Sequence, residues 1–428
     1  MSPAGETGTS STPPRANASN QGGSKIEFTP YSRGASVISE NISLVGVQVK
    51  EVRPWIQRDI EQAKQCKADA MLQALLQRAS CAPCAPKTKQ PELLQKCLKG
   101  VLPVCNGQVS NGTVAKIFWG EAGRTSEPKI LDKVEEITKV HPTVEGHIPE
   151  LFWCHAFTNS ACAIREALGV PESSMSSRML YILVFRRLYP ITKLNGKDLF
   201  DVWRQCILCH LTLWKEGVHH RDISPGSLLW YRKNGRLIGV LNDYDLSSLA
   251  NAVGPQGNER TGTVPFMALD LLTKEGQQGK AKYLYRHDLE SFMWVFAWIC
   301  FRYRQGVLLL RRSRPLDEWA TSHAIACGVK KLAFLTNLSH YLPADFRTSQ
   351  STIDLSLLAL LVDCFRVLQA ANSNRADDMY HNLVVELGWM EGTYEQIDAE
   401  ETVSDMDDFL GKFTGTKAWV KLSNTLPL

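Results

Sequence analysis

The pattern of apolar and polar residues divides the middle of the chain into strands and helices. Residues 228–231 and 237–241 are apolar runs of strand length on either side of a Lys-Asn-Gly turn, which predicts a β-hairpin. Residues 180–185 form an uninterrupted apolar run, typical of a buried strand. The longer apolar stretch at 292–301 predicts a buried helix. Strands and helices therefore both contribute to this part of the chain.

The two ends of the chain differ from this central part. Residues 1–24 are rich in Ser, Gly, Thr, Asn and Pro and have little apolar surface to bury, which predicts a disordered tail. In residues 25–100, apolar side chains recur at helical spacing, which predicts a helical N-terminal extension. Residues 393–428 begin with an acidic segment and are predicted to be a solvated linker and C-terminal tail.

Two acidic motifs flank the predicted hairpin. A His-Arg-Asp motif at 220–222 comes before it, and an Asp-Tyr-Asp motif at 243–245 comes after it. This order and spacing is typical of phosphoryl transfer, in which the first Asp orients a substrate hydroxyl and the second holds magnesium against the nucleotide phosphates. The sequence therefore predicts Asp222 as the catalytic base, with Arg221 beside it, and Asp243 as a metal ligand.

A lysine and a glutamate upstream complete the expected phosphate site. Residues 113–117, Thr-Val-Ala-Lys-Ile, match the strand that aims a lysine at the α- and β-phosphates, which makes Lys116 the candidate. Glu127 is followed by Pro and then by apolar residues one helical turn along, so a helix is predicted to begin near it. We predict an ion pair between Lys116 and Glu127, with Glu135 and Glu136 as the alternative partners.

The apolar run at 180–185 is predicted to lead into the segment that binds the nucleotide base. Phe185 would stand at the back of this pocket. The backbone from Arg186 to Leu188 would hydrogen-bond the base, and such backbone recognition leaves little trace in the sequence.

Three motifs together give the chain a family resemblance. The segments His-Arg-Asp-Ile-Ser at 220–224, Asp-Tyr-Asp-Leu-Ser at 243–247 and Tyr-Arg-His-Asp-Leu-Glu-Ser-Phe at 285–292 resemble the fungal-type protein kinase family, a divergent branch of the protein kinases. The resemblance implies an α+β, bilobal protein kinase-like fold, with a small antiparallel-sheet lobe that carries one main helix and a larger, mainly helical lobe. The small lobe and hinge would occupy residues 101–188, and the large lobe residues 189–392.

The resemblance also implies a function and further roles for single residues. Members of this family are expected to bind ATP and Mg²⁺ and to phosphorylate Ser or Thr of protein substrates. Residues 262–270 resemble the end of an activation segment, where a protein substrate would bind, and Thr263 matches the residue that contacts the catalytic Asp. Asp288 would tie down the backbone of the loop at 220–222.

Three departures from the family pattern leave alternatives open. Ser227 stands where a second metal ligand, Asn, is expected. Gly107 and Gly112 frame a turn that either covers the phosphates or is a plain hairpin loop. Leu269 replaces a Pro near the end of the activation segment. An active Ser/Thr protein kinase is the favoured function. The alternatives are a pseudokinase that binds a nucleotide or acts as a scaffold, and a phosphotransferase that acts on small alcohols.

Regulation by phosphorylation can also be predicted. An Arg beside the catalytic Asp can pair with a phosphate on the activation segment and order that segment. Arg221 has this position, and Thr261 is the preferred phosphorylation site.

Composition narrows the class of protein and its partners. The length of 428 residues and the 44% hydrophobic content suit one bilobal domain with flanking segments. A net charge of +4 gives no indication of a nucleic-acid partner. Because no apolar stretch reaches the roughly 20 residues that cross a bilayer and no signal sequence opens the chain, we expect no membrane association and an intracellular location, cytoplasmic or nuclear. The sequence does not predict the oligomeric state.

The chain contains 12 cysteines, and two pairs have the spacing of metal or redox sites. Cys206 and Cys209 lie in an apolar stretch, which favours buried thiols. Cys81 and Cys84 either begin a zinc site or have no metal role.

Overall fold

The computed structural model describes residues 112–121, 123–156, 178–250, 262–311, 314–341, 354–390 and 401–426. The tail predicted at 1–24, the extension at 25–100, Cys81, Cys84 and Gly107 lie outside the described residues. The described strands are β1 (Thr113–Glu121), β2 (Leu151–Ala156), β3 (Arg178–Arg186), β4 (Tyr189–Pro190), β5 (Val218–His219), β6 (Leu228–Lys233), β7 (Arg236–Leu241), β8 (Ser248–Leu249), β9 (Tyr303–Arg304) and β10 (Val307–Leu308). The described helices are α1 (Glu127–Thr138), α2 (Gly196–Lys215), α3 (Lys274–Gln277), α4 (Tyr285–Arg302), α5 (Asp317–Thr321), α6 (Ala324–Thr336), α7 (Leu338–Tyr341), α8 (Leu355–Glu386), α9 (Val403–Thr414) and α10 (Lys417–Ser423).

The first part of the described chain is an antiparallel sheet with one helix. Its strands have the order β1-β3-β2, and β1 pairs with β3 so that Lys116 lies opposite Leu183 and Val114 opposite Phe185. Directly opposed residues share a face of a sheet, so these four side chains lie on one side. Helix α1 contributes the residues Ile130, Leu131, Val134 and Ile137 to the same core, because their spacing puts them on one face of the helix.

The rest of the described chain is mainly helical. Helix α4 is buried nearly all round, as its apolar sequence predicts, and α2 packs against it through Trp203 and Phe296, whose ring centroids are 4.6 Å apart. The hairpin β6–β7 lies against α2. A Cβ on Gly239 would lie 2.7 Å from the carbonyl oxygen of Val202, so this close approach of strand and helix requires a glycine. The hairpin that carries the two acidic motifs is thereby fixed to the helical core.

The predicted mixture of strands and helices is confirmed by these small antiparallel sheets and the helical part. The predicted buried thiols are also present, since Cys206 and Cys209 are both 0% exposed and burial raises the pKa of each thiol. No group of three or more metal-binding side chains occurs among the described residues.

Helix α8 is the one described helix that is long and apolar enough to cross a membrane by length and composition. Its buried apolar residues belong to the helical core; they are Leu357, Leu360, Leu361, Cys364, Phe365 and Leu368.

The prediction for the C-terminal residues was wrong where the structure describes them. Residues 401–426, expected to be linker and tail, form α9 and α10. The ring of Trp419 lies 5.3 Å from that of Trp203 and 5.4 Å from that of Phe200, measured between centroids. The acidic residues of α9, Asp405, Asp407 and Asp408, lie on the exposed face of this amphipathic helix, and buried Met406, Leu410 and Phe413 form its inner face.

We expect that Trp419→Ala destabilises the protein by about 3–5 kcal/mol, because it removes a large buried ring from a packed aromatic cluster. Urea unfolding followed by tryptophan fluorescence measures this. Val420→Ala is the matched control, since Val420 is 45% exposed on the same helix and should change stability by no more than about 0.5 kcal/mol. Equal unfolding midpoints for the two variants would show that α10 is not part of the core.

Candidate active site

Lys116 lies at the centre of a half-buried group of charges. Its Nζ is 2.6 Å from Oε2 of Glu127 and 2.5 Å from Oδ1 of Asp243. Burial alone would lower the pKa of Lys116, but the charges of Asp243 and Glu127 outweigh this effect and raise it. The ammonium is therefore held in its charged form between two carboxylates from distant parts of the chain. The predicted ion pair with Glu127 is present.

The start of helix α1 puts Glu127 into this group. Glu127 occupies the first turn of the helix, where Pro is tolerated at the next position and a negative charge is favourable. Its second oxygen, Oε1, accepts a hydrogen bond of 3.1 Å from the backbone N–H of Tyr244. Glu127 thus connects Lys116 to the backbone of the Asp-Tyr-Asp motif, a contact that no local sequence signal predicts.

Asp222 is held by the segment that begins at Gly262. Its Oδ1 accepts hydrogen bonds from both the backbone N–H and the hydroxyl of Thr263, each 2.8 Å long. The predicted contact between these two residues is therefore confirmed. Burial and the nearby charge of Asp243 raise the pKa of Asp222 to about 7, despite the two hydrogen bonds that lower it.

The backbone at both acidic motifs is strained. Arg221 and Asp243 have φ angles of 68° and 70°, in the left-handed region of backbone conformation that residues other than glycine rarely adopt. A hydrogen bond of 2.9 Å between Nε2 of His220 and the carbonyl of Asn242 joins the two motifs. Such conformations persist only where surrounding contacts enforce them, and they concentrate at functional sites.

Asp288 supplies one of those contacts. It is 0% exposed, and its Oδ2 accepts a 3.0 Å hydrogen bond from the backbone N–H of Arg221. Its carboxylate also contacts Nε2 of His210 at 2.9 Å and the hydroxyl of Tyr283 at 2.5 Å. Burial favours the neutral carboxyl, but the hydrogen bonds and the nearby His210 and His220 lower the pKa of Asp288 to about 2. The predicted tie to the catalytic loop is confirmed, whereas the partners His210 and Tyr283 were not predicted.

The Arg221 side chain lies partly buried beside this network. Its guanidinium lies 5.0 Å from the centre of the Tyr283 ring, and burial lowers its pKa. Thr261, the predicted phosphorylation site, lies outside the described residues, so its pairing with Arg221 stays a prediction.

The Ser227 side chain is bonded to the backbone of its own loop. It is 0% exposed, its Oγ donates to the carbonyl of Ser224 at 2.9 Å, and it accepts from the N–H of Ser224 at 2.8 Å. A short hydroxyl side chain readily bonds to nearby backbone in this way. Ser227 therefore closes a turn of the loop that follows Asp222, and its role as a second metal ligand stays a prediction. The Asp243 carboxylate, next to the Lys116 ammonium, is the kind of oxygen donor that Mg²⁺ prefers.

The predicted base-binding segment lies at the end of β3. Phe185 faces the same side of the sheet as Val114 and Lys116. The N–H groups of Arg186 and Arg187 donate to the carbonyls of Glu150 and Gly112, at 3.0 and 2.8 Å. Among the described residues, the N–H of Leu188 has no such backbone partner.

Asp270 anchors the end of the segment at 262–270. Its two carboxylate oxygens contact the guanidinium groups of Arg286 and Arg375 at 3.0 and 2.9 Å, and His287 lies 3.3 Å away. Hydrogen bonding to His287 and the two Arg charges lower the pKa of Asp270, against the opposing effect of burial. The acid that ends this segment is thereby tied to α4 and α8.

We expect that Asp270→Asn lowers the free energy of unfolding at pH 7 by about 1–3 kcal/mol, because it leaves two guanidinium groups without their carboxylate. A carboxylate whose pKa is lower in the folded protein than in the unfolded chain stabilises the fold above the unfolded-state pKa of about 3.9. This stabilisation is lost as pH falls through the folded-state pKa. The difference from the wild type should therefore shrink below about pH 4 in denaturation curves. Asp378→Asn, exposed on α8, is the control and should change little. A constant difference between pH 7 and pH 3 would contradict the ion cluster.

Comparisons with known proteins agree with the sequence motifs. The model of the fungal protein kinase family matches residues 154–300. Among solved structures, the kinase PK-1 of the Cydia pomonella granulovirus matches with 15% sequence identity and a TM-score of 0.34, over 59% of this chain and 78% of that chain. No curated protein matches in sequence. The predicted resemblance is confirmed: residues 154–300, which include both acidic motifs, match the fungal protein kinase family.

Proposed function

We propose that this chain is a bilobal protein kinase that transfers the γ-phosphoryl group of ATP, in the presence of Mg²⁺, to Ser or Thr hydroxyls of proteins. The observation that carries the proposal is the meeting of Lys116, Glu127 and Asp243 in one group of charges, next to Asp222. The sheet with α1 would form the small lobe, and the mainly helical part the large lobe.

Each residue of the group has a separate task in this proposal. Lys116, fixed by Glu127, would bind nucleotide phosphates, and Asp243 would hold the metal ion. Phe185 would close the back of the base pocket, and the backbone from Arg186 to Leu188 would bind the base. Bound Mg²⁺ supplies positive charge that neutralises the phosphates during transfer.

Asp222 would orient the hydroxyl that receives the phosphate and accept its proton. Thr263 occupies Oδ1, and among the described residues Oδ2 has no hydrogen-bond donor, so it can accept one from a substrate. A pKa of about 7 keeps a useful fraction of Asp222 ionised at neutral pH. Since the base must be ionised, we expect the rate to rise as pH increases through this value.

The segment that contains Thr263 supports a protein substrate over a small one. It runs from the Asp222 contact to the Asp270 ion cluster and packs on α6, so a fixed stretch of backbone lies next to the proposed catalytic residue. A pseudokinase is the second candidate, because Ser227 replaces the Asn expected as a metal ligand and its hydroxyl bonds to the backbone of Ser224. The proposed location is intracellular.

The acceptor can be identified by incubating the purified chain with labelled ATP, Mg²⁺ and either dephosphorylated casein or a set of small amino alcohols. Acid hydrolysis of the labelled protein should give phosphoserine or phosphothreonine, with no label on the alcohols. Label on the alcohols alone would overturn the protein kinase proposal. No label at all, with ATP still raising the melting temperature, would establish the pseudokinase instead.

A further inference from the structure

A buried lysine lies beneath the segment proposed to bind substrate. Lys331 on α6 is 0% exposed, and its Nζ donates a hydrogen bond to the carbonyl of Met267. The ammonium lies 4.2 Å from the ring centre of Trp294 and 6.0 Å from that of Trp319. Burial lowers the pKa of Lys331 to about 8. Taking an ammonium out of water is costly, so its burial against this one carbonyl points to a specific role.

Glu290 on α4 holds the same segment from the other side. It is 5% exposed, and its Oε1 accepts a 2.8 Å hydrogen bond from the backbone N–H of Leu269. The same oxygen accepts a 2.9 Å bond from the indole N–H of Trp294. Trp294 therefore contacts Glu290 with its edge and Lys331 with its face. The three side chains, which we call the clasp, bind the carbonyl at 267 and the amide at 269.

The bond to Glu290 depends on a departure from the family pattern. Leu269 stands where the family resemblance has Pro, and Pro has no backbone N–H to donate. The backbone N–H of Leu269 thus supplies the hydrogen bond to Glu290, which a Pro at this position could not make.

Helix α6 contacts the segment on both sides of the clasp. Sγ of Cys327 lies 3.9 Å from the carbonyl oxygen of Val264, and a Cβ on Gly328 would lie 3.0 Å from Cβ of Leu272. Together with Thr263 on Asp222, these contacts leave the segment little freedom to shift independently of the catalytic loop.

We propose that Lys331, Trp294 and Glu290 are positioning residues that fix the largely buried residues 267–269 and thereby position the segment that begins at Thr263, where the protein substrate would bind beside Asp222. This inference rests on the proposed function. It predicts that substitutions in the clasp change KM for the protein substrate and leave KM for ATP unchanged. The reason is that none of the contacts of the clasp involves Lys116 or Asp243.

Lys331→Met tests the clasp, since Met has a similar length and stays beside the tryptophans but cannot donate to Met267. Lys330→Met is the matched control, because Lys330 bonds to Ser322 and not to the segment. For Lys331→Met, KM for dephosphorylated casein should rise on the order of tenfold, with KM for ATP within about twofold of the wild type. Lys330→Met should leave both constants unchanged.

Hydrogen exchange gives a readout that does not need activity. In Lys331→Met, the amides of residues 267–272 should exchange faster than in the wild type and in Lys330→Met. If Lys331→Met does not fold, Glu290→Gln carries the test, because its neutral oxygen is a weaker acceptor and the Leu269 amide should exchange faster. Normal exchange in a folded clasp variant, or a change in KM for ATP as large as that for casein, would overturn the inference.

The two proposals can fail separately. If the wild type transfers no phosphate, the proposed function fails, and hydrogen exchange alone then decides whether the clasp holds the segment. If transfer occurs and Lys331→Met matches the wild type in both KM and hydrogen exchange, the proposed role of the clasp is wrong and the proposed function stands.

Discussion

Asp222→Asn should reduce the rate of phosphate transfer by roughly 10²–10⁴-fold, the usual contribution of a positioned general base. The amide has nearly the same shape and can still accept a hydrogen bond from Thr263, so the loop should keep its structure. It cannot take a proton from the substrate hydroxyl. The measurement is the transfer rate at saturating ATP and Mg²⁺, together with the rise in melting temperature on addition of nucleotide.

The rise in melting temperature on addition of nucleotide should be the same in the wild type and in Asp222→Asn, because Lys116 and Asp243 are unchanged. Asp408→Asn, an exposed acid on α9, is the control and should keep the full rate. A transfer rate in Asp222→Asn within a few-fold of the wild type would remove Asp222 from the catalytic centre.

The second large effect is expected for Asp288→Ala, which should lower the free energy of unfolding by about 3–5 kcal/mol. The substitution leaves His210, the Tyr283 hydroxyl and the Arg221 amide without their acceptor in a fully buried place. Because the strained backbone at Arg221 depends on this carboxylate, transfer should also fall in the fraction that stays folded.

Urea denaturation measures the stability of Asp288→Ala, with Asp377→Ala on the exposed part of α8 as the control. The control should lie within about 0.5 kcal/mol of the wild type. An Asp288→Ala protein that unfolds at the wild-type urea concentration would show that the network adds no stability.

Local patterns predicted the elements that carry the site. The hairpin β6–β7 was predicted from two apolar runs and a Lys-Asn-Gly turn, and its turn residues Asn234 and Gly235 have φ angles of 52° and 80°, as a tight hairpin turn requires. The ion pair of Lys116 and Glu127 followed from a strand lysine and a helix start in the right order. In both cases the information lies within a few neighbouring residues.

Contacts between distant segments could not be predicted in the same way. The binding of Leu269 by Glu290, and of Met267 by Lys331, depends on how α4 and α6 pack around the segment. Ser227 was assigned by its position relative to Asp222, but the direction of its hydroxyl is set by a bond to Ser224. In α9 and α10, the acidic composition masked the apolar face that packs on the core.

The most direct test of the account is the transfer of label from γ-labelled ATP to dephosphorylated casein by the wild type, Lys116→Met and Asp222→Asn, measured side by side with Mg²⁺. The account predicts label with the wild type and a loss of nearly all of it with either variant. Equal label with all three proteins, or no label and no nucleotide-induced rise in melting temperature with the wild type, would contradict it.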